Sequence, residues 1–389
     1  MPDPAANPVR VLVVDDSAFM RTALRRMIES DPALRVIGTA NDGVDGVQQA
    51  IQLRPDVITM DVEMPRMSGL DALSRIMELA PCPVIMVSSL TKSHAEATIE
   101  ALSRGAYDFL SKDLSFASVD IMRIKDDLIA KCKSAAQRRR PAAGRVAPAV
   151  AALPRSNRTF PAPKVVCIGT STGGPKALQR ILPMLPATLA APVVVVQHMP
   201  PGFTGPFARR LDSLCRLRVK ESEPNEPLLP GVIYIGAAGQ QLRVLRRSTG
   251  AYAHMSLLPG DTPHIPSVDI LMLSAADQFA QLAMGIILTG MGADGQQGMA
   301  AIYRTGGYTV GEDESTCTVY GMPRACAEAG VLHNVVQLEA VPAEIVRLVT
   351  SGATSGSSGT APGSASSATS SSAASAANGA APRNTAAPV

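Results

Sequence analysis

The sequence has few of the features that mark membrane, secreted or nucleic-acid-binding proteins. Its 389 residues carry a formal net charge of only +3, and aromatic residues make up 3% of them. It has no dense basic stripe with interleaved aromatic residues, which argues against nucleic-acid binding. It also lacks a run of about eighteen apolar residues and an N-terminal secretory pattern, so we expect a cytoplasmic protein that does not insert into membranes.

Cysteine and histidine are scarce. The six cysteines are scattered and show none of the spacings of a metal site, so we expect reduced packing residues. With only five histidines, the candidates for histidine-dependent chemistry can be compared one by one. The length allows two domains of ordinary size.

Shifts in composition divide the chain. A basic stretch rich in proline and alanine predicts a flexible linker, and a segment of serine, alanine, glycine and threonine predicts a disordered tail. The predicted parts are an N-terminal extension (1–8), a first domain (9–135), the linker (136–163), a second domain (164–350) and the tail (351–389).

In the first domain, apolar strands alternate with helical segments and end in polar residues. Five such units predict a doubly wound parallel sheet, (βα)5, in which the carboxyl ends of the strands form the binding edge. Asp15, Asp16 and Asp61 converge there and predict a Mg²⁺ site, since carboxylate oxygens suit this hard cation. Ser88 and Lys112 would complete a pocket for a phosphoryl group. The alternative is that the acidic residues only cap helices.

In the second domain, Ser171 follows the apolar run 165–168 within Gly169–Gly174, and Pro175 opens a helical stretch. A serine on such a turn suits a nucleophile whose reaction develops an oxyanion. A glycine-rich turn that binds phosphate, or only changes direction, is the alternative that this hexapeptide leaves open.

Two further strand-end loops favour the nucleophile. His198 ends the β-branched run 192–196, and Asp294 lies in a glycine-rich loop after the apolar run 284–288. Asp294 could instead cap the helix that follows it. Three loops in the order Ser, His, Asp predict a mainly parallel, doubly wound α/β serine hydrolase domain. This order differs from that of the α/β-hydrolases, in which the acid precedes the histidine.

Short motifs in both halves resemble one family. The receiver-like motifs are Val13–Ser17, Met60–Pro65, Met86–Ser89 and the Lys112 position. The catalytic motifs are Ile168–Gly174, Gln197–Phe203 and Leu288–Gly295. In this order they resemble the chemotaxis protein-glutamate methylesterases, in which a response-regulator receiver domain precedes the catalytic domain. The resemblance covers residues 8 to about 349.

For the receiver, the resemblance implies phosphorylation of Asp61. It implies Mg²⁺ binding by Asp15, Asp16 and Asp61 together with the backbone carbonyl of Glu63. Ser88 and Phe109 match the switch hydroxyl and the switch aromatic residue, and Lys112 matches the pocket lysine. One departure is that Lys112 precedes Asp113, where the family usually has proline.

For the catalytic domain, the resemblance implies Ser171 as nucleophile, His198 as general base and Asp294 as orienting acid. Thr172 and the backbone N–H of Met291 match positions that support the oxyanion. The esterase reaction would need no cofactor.

The resemblance also implies the biological reaction. The protein would hydrolyse glutamate γ-methyl esters on the cytoplasmic helices of methyl-accepting chemoreceptors and deamidate particular glutamines there. A chemotaxis histidine kinase would be the phosphodonor, and the unphosphorylated receiver would pack over the catalytic mouth until phosphorylation opens it.

Two other classes of function remain to be weighed. One is a receiver-controlled binding module in which the glycine-rich turn holds a ligand without hydrolysis. The other is a transcriptional regulator, which requires a helix-turn-helix after the linker. The β-rich second half, punctuated by glycine, argues against the regulator.

Overall fold

The computed structural model describes residues 7–89, 91–112, 118–139 and 160–351. Most of the predicted N-terminal extension, linker and tail lie outside these ranges, as does Asp113. The described chain forms two α/β domains, each built on its own parallel sheet.

The first domain is a five-stranded parallel sheet with the order β2-β1-β3-β4-β5. Its strands are β1 (Val9–Val14), β2 (Leu34–Ala40), β3 (Val57–Asp61), β4 (Val84–Ser88) and β5 (Asp108–Ser111). Its helices are α1 (Ala18–Glu29), α2 (Gly43–Leu53), α3 (Gly69–Leu79), α4 (Lys92–Ser103) and α5 (Ser118–Arg139). Strands β3 and β4 are buried along their whole length, as expected of parallel strands covered on both faces. The predicted (βα)5 receiver fold is confirmed.

Helix α5 continues through Arg139, past the residue at which the linker was predicted to begin. Ala135 and Ala136 are buried in the same apolar cluster as Leu128 and Cys132. These four side chains lie on one face of the helix at helical spacing, so the apolar stripe carries the helix onward.

The second domain is a seven-stranded parallel sheet with the order β15-β14-β13-β6-β7-β10-β8, beside a three-stranded antiparallel sheet with the order β11-β12-β9. The strands are β6 (Val165–Thr170), β7 (Val193–Gln197), β8 (Arg218–Glu221), β9 (Pro227–Leu228), β10 (Val232–Ile235), β11 (Gln241–Arg247), β12 (Gly250–Ser256), β13 (Ala283–Ile287), β14 (Tyr308–Glu312) and β15 (Asn334–Val336). The helices are α6 (Gly174–Ile181), α7 (Thr204–Asp212), α8 (Val268–Phe279), α9 (Gln296–Arg304), α10 (Met322–Glu328) and α11 (Val341–Ser351). The predicted mainly parallel α/β architecture is confirmed, whereas the small antiparallel sheet was not predicted.

The strand order brings the three candidate catalytic loops together. Strands β13, β6 and β7 are neighbours at the centre of the large sheet. The chain leaves β6 toward β7 on one side and later returns to β13 on the other side. A crevice opens at the carboxyl ends of strands where the strand order reverses in this way. Ser171, His198 and Asp294 follow these three strands.

No helix in the described part of the chain is long and apolar enough to cross a bilayer.

Candidate catalytic and phosphorylation sites

The turn that carries Ser171 is fixed through its backbone. The Ser171 N–H donates to the Thr289 carbonyl (3.1 Å), and the Ser171 carbonyl accepts from Gln197 Nε2 (2.9 Å). Gly173 has a φ of +81°, and the Thr318 side chain fills the space that a Cβ there would need. Only glycine meets both requirements. The hydroxyl of Ser171 therefore stands on a rigid turn at the carboxyl end of β6.

His198 pairs with Asp294 across the crevice. His198 Nε2 lies 2.8 Å from Asp294 Oδ2. Since the carboxylate can only accept, the neutral imidazole carries its proton on Nε2, an assignment that follows from this hydrogen bond. The other ring nitrogen, Nδ1, is buried and has no hydrogen-bond partner among the described residues. Nδ1 is therefore the nitrogen free to act as a base.

Asp294 is held by the first turn of α8. Its Oδ1 accepts from Ser267 Oγ (2.8 Å) and Asp269 N (2.9 Å), and its Oδ2 accepts from Val268 N (2.8 Å). Burial alone would raise the pKa of Asp294, but His198 and these N–H groups hold it well below its usual range. The positive end of a helix dipole favours such an anion. Asp294 therefore stays ionised and can stabilise a protonated His198.

Asp294, in the loop before α9, caps α8, and a carboxylate of α8 in turn bonds to the first turn of α9. Asp269, in the first turn of α8, accepts from Gly298 N in α9 (2.7 Å). The N-cap residue of α9 is Gly295, which makes no side-chain capping bond. The alternative that Asp294 only caps the helix after it is therefore wrong. Ser267 and Asp269 were missed by the sequence analysis, although a serine two residues before an aspartate is a common helix start.

The loop after β13 lies directly against Ser171. A Cβ on Gly290 would stand 2.9 Å from Ser171 Cβ and 3.0 Å from Ser171 N, and it would also collide with Met322. Only a glycine permits this approach. The predicted oxyanion residues thus lie on both sides of the nucleophile, because Thr172 follows Ser171 and Met291 follows Gly290.

We expect Gly290→Ala to lower esterase activity about 100-fold, because the added methyl group displaces the Met291 loop from Ser171. The rate of Ser171 labelling by a fluorophosphonate measures the effect, with thermal unfolding recorded in parallel. Gly260→Ala is the matched control, since its Cβ would meet its nearest neighbour at an ordinary 3.5 Å. Equal labelling rates for the two variants would contradict the prediction.

In the first domain, the predicted acidic site is assembled. Oxygen atoms of Asp15, Asp16 and Asp61 lie within 4.8 Å of one another. Lys112 Nζ lies 2.6 Å from Asp61 Oδ2 and 3.0 Å from Asp15 Oδ2. Burial raises the pKa of Asp61, and Lys112 opposes this rise. Crowded carboxylate oxygens, two of them on buried residues and one on the exposed Asp16, are a donor set that fits a hard divalent cation.

The switch hydroxyl points toward α4. Thr98 Oγ1, which is fully buried, donates to Ser88 Oγ (2.8 Å) and so holds it on the helix side of its strand. The Glu63 carboxylate is exposed and lies 2.8 Å from His94 Nε2. Thr98 was not among the residues predicted from the sequence.

Strand β5 of the first domain contacts the catalytic site of the second. The Phe109 ring stacks on the Phe203 ring with centroids 4.8 Å apart. Burial raises the pKa of Asp108, while Lys131 and the neighbouring Thr172 hydroxyl oppose the rise. Thr172 is the residue after the nucleophile. Strand β5, which carries Phe109, therefore lies against the edge of the crevice at Ser171.

The interface also has polar contacts and an open groove. Arg209 in α7 pairs with Glu96 in α4 (2.8 Å), and Ser103 Oγ donates to Gln179 Oε1 (2.7 Å). A groove of about 500 Å³ runs between α4 and α7. Arg209 and Glu96 are both more than half exposed, and exposed ion pairs contribute little stability. The apolar contact between Phe109 and Phe203 is therefore bordered by polar contacts that add little stability.

Comparison with known proteins gives both domains a family. Residues 11–122 match the response regulator receiver domain, and residues 166–345 match the CheB methylesterase domain. A receiver domain implies a phosphodonor kinase and a divalent metal, and the methylesterase family implies chemoreceptor substrates.

Relatives with both domains match over nearly their whole length. A protein-glutamate methylesterase/protein-glutamine glutaminase of Nitratidesulfovibrio vulgaris is 45% identical over 87% of this chain and 98% of its own. One from Symbiobacterium thermophilum is 44% identical over 90% of this chain and all of its own.

Solved structures match each domain separately. The catalytic domain of Thermotoga maritima CheB is 39% identical, covers 48% of this chain and 99% of its own, and has a TM-score of 0.47. The response regulator domain of the same protein is 50% identical over 34% of this chain and 98% of its own, with a TM-score of 0.31. The chain belongs to the protein-glutamate methylesterase/protein-glutamine glutaminase family, in which a receiver domain precedes a CheB methylesterase domain.

Proposed function

We propose that Ser171, His198 and Asp294 are the catalytic residues of this methylesterase. Membership of the family establishes phosphorylation-regulated demethylation of chemoreceptor glutamates, together with glutaminase activity. The observation that supports the assignment is the half-buried His198–Asp294 pair, whose other ring nitrogen is free of hydrogen bonds among the described residues and which follows the strand next to that of Ser171. Methanol released from methyl-labelled receptor membranes is the direct test.

The geometry supports acyl transfer through Ser171. His198 Nδ1 takes the hydroxyl proton as Ser171 Oγ attacks the ester carbonyl, and Asp294 stabilises the imidazolium that forms. The N–H of Ser171 donates to Thr289 and is not available to the oxyanion. We therefore assign oxyanion support to the Thr172 turn and the Met291 N–H.

The remaining steps return the enzyme to its starting state. The imidazolium gives its proton to the leaving oxygen, and methanol departs. Water then attacks the acyl-enzyme while Nδ1 accepts its proton, which releases glutamate and frees Ser171. A glutamine substrate follows the same course with ammonia as the leaving group. These three side chains supply the nucleophile, the base and the orienting acid, so the proposal includes no cofactor for this reaction.

We propose Asp61 as the phosphorylated residue and a chemotaxis histidine kinase as the donor. Asp15, Asp16, Asp61 and the Glu63 carbonyl would hold Mg²⁺, which supplies positive charge against the phosphoryl oxygens when it is bound. Lys112, already within 3.0 Å of two of these carboxylates, adds a fixed positive charge.

The proposal also includes the roles of the two switch residues and the place of the reaction in the cell. Ser88 would turn from Thr98 toward the phosphoryl group, and Phe109 would move with it. We place the reaction in the cytoplasm, at the cytoplasmic helices of chemoreceptors. The proposal also includes the limits 164–350 of the second domain, and it moves the end of the first domain from 135 to 139, where α5 ends. The relatives give no support to a binding module without hydrolysis.

We expect Asp61→Asn to keep basal esterase activity and to lose stimulation by a small phosphodonor with Mg²⁺. The amide keeps the shape of the side chain but cannot form the acyl phosphate. Incorporation of labelled phosphate and methanol release are measured together. Asp126→Asn, at an exposed aspartate of α5, is the matched control. Phosphate that accumulates on the Asp61 variant at the native rate would remove Asp61 from the assignment.

A further inference from the structure

A second histidine lies flat against the catalytic one. The rings of His264 and His198 are stacked with centroids 3.8 Å apart and planes inclined by 14°. His264 belongs to the loop between β12 and α8, and the sequence offered no reason to select it. The His264 ring contacts the ring of His198, the proposed general base, although His264 is not one of the three predicted catalytic residues.

The loop that carries His264 is fixed at several points. Gln241, which is fully buried, donates through Nε2 to Thr262 Oγ1 (2.7 Å), and its Oε1 accepts from Ser267 N (2.9 Å). Thr262 Oγ1 in turn donates to the His264 carbonyl (2.8 Å). Gly239 N donates to the carbonyl of Ile265 (3.1 Å). The backbone that carries the stacked ring is therefore held independently of His198.

His198 needs such a neighbour for a mechanical reason. Among the described residues its ring makes one hydrogen bond, from Nε2 to Asp294, and Nδ1 has no partner. A ring held at one atom can still tilt about that bond, which would change the direction in which Nδ1 points. Misplacement of a base by about 1 Å can cost up to 100-fold in rate. A flat ring on one face blocks the tilt.

The charge state of His264 suits this role. The residue is exposed as a whole, but burial of its ring lowers its pKa to about 4, with repulsion from His198 as the next cause. Asp294 and Asp127 act in the opposite direction, and Lys131 adds to the lowering. A neutral aromatic ring faces an imidazolium without charge repulsion and attracts it through its π face.

We propose that His264 is a positioning residue that holds the His198 ring by stacking and so fixes the orientation from which Nδ1 accepts the Ser171 proton during the reaction. The proposal rests on the assignment of Ser171 and His198 made above. The proposal predicts that position 264 requires a flat side chain. It does not require a side chain that can gain or lose a proton.

The test measures fluorophosphonate labelling of the full chain between pH 5 and 9, an interval that brackets the ordinary pKa of histidine. His264→Phe keeps a flat ring, and His264→Leu keeps bulk without one. His254→Phe, on β12, is the matched control for a histidine away from the catalytic residues. Thermal unfolding of each variant is recorded, and Ser171→Ala supplies the background.

We expect His264→Leu to label about tenfold more slowly on the high-pH plateau, and His264→Phe to stay within about threefold of the native rate there. The pH midpoint should fall by roughly half a unit in the Leu variant only, because its imidazolium has lost the facing ring. Native rates in His264→Leu, or equal losses in the Leu and Phe variants, would overturn the proposal. Native labelling of Ser171→Ala would overturn the proposed function and this inference with it.

Discussion

Replacing Ser171 by alanine will abolish methylesterase activity and leave the fold intact. We expect a loss of roughly 10⁴-fold or more, because no acyl-enzyme can form without the hydroxyl. The turn is held by the Ser171 N–H and carbonyl, which alanine keeps. Methanol release from methyl-labelled receptor membranes and a thermal unfolding curve are measured on the same preparation.

Variants of the other two catalytic residues should form a graded series with this one. His198→Ala is expected to be about as damaging, whereas Asp294→Ala should cost less activity, since an orienting acid contributes less than the group that moves the proton. Asp294→Ala should also lower the unfolding temperature, because it leaves Val268 N and Asp269 N without their acceptor. Ser213→Ala, at an exposed helix end, is the control. Turnover near the native rate in Ser171→Ala would exclude this residue from the mechanism.

The receiver could be predicted from the sequence almost element by element. The sequence pattern predicts helices at roughly 43–53, 69–79 and 95–104. Helices α2 and α3 begin and end at the first two of these ranges, because Asp42 and Ser68 cap them and apolar residues follow at helical spacing. Helix α4 begins earlier than predicted, since Thr91 accepts from His94 N and caps it. Both departures lie at helix ends: a side-chain cap sets the start of α4, and the apolar stripe of α5 carries that helix past residue 135.

Only those residues of the candidate site that directly follow strands could be predicted from the sequence. Ser171, His198 and Asp294 each follow an apolar run, so the parallel sheet alone was enough to bring their loops to one edge. His264 and Ser267 reach the site from the other side, through a loop fixed by Gln241. Nothing in the local pattern tells which sheet edge such a loop faces, because tertiary packing decides it.

The contact between the domains was also beyond local sequence patterns. The resemblance implied that the receiver covers the catalytic mouth, and Phe109 was expected as a switch residue. Its partner Phe203 looked like part of a catalytic motif, and Asp108 looked like an ordinary strand residue. An interface joins surfaces far apart in sequence, so its residue pairs can be identified only from the folded chain.

Deleting residues 1–140 will raise the esterase activity of the unphosphorylated protein. The receiver places Phe109 on Phe203 and Asp108 beside Thr172, so its removal uncovers the turn that holds the nucleophile. We expect an increase of about tenfold, within the range usual for coupling between two sites. Methanol release is compared with that of the full chain without phosphodonor, and thermal unfolding confirms that the fragment is folded.

Two variants of the full chain show which part of the interface inhibits. Asp108→Ala removes the carboxylate beside Thr172 and should raise activity in the same direction as the deletion. Glu96→Ala breaks only the exposed pair with Arg209 and should change activity little, because such pairs contribute at most about 1 kcal/mol. If the folded fragment is no faster than the full chain, the receiver is not an inhibitory cover. Phosphorylation must then act through positive contacts or by bringing the enzyme to its receptor.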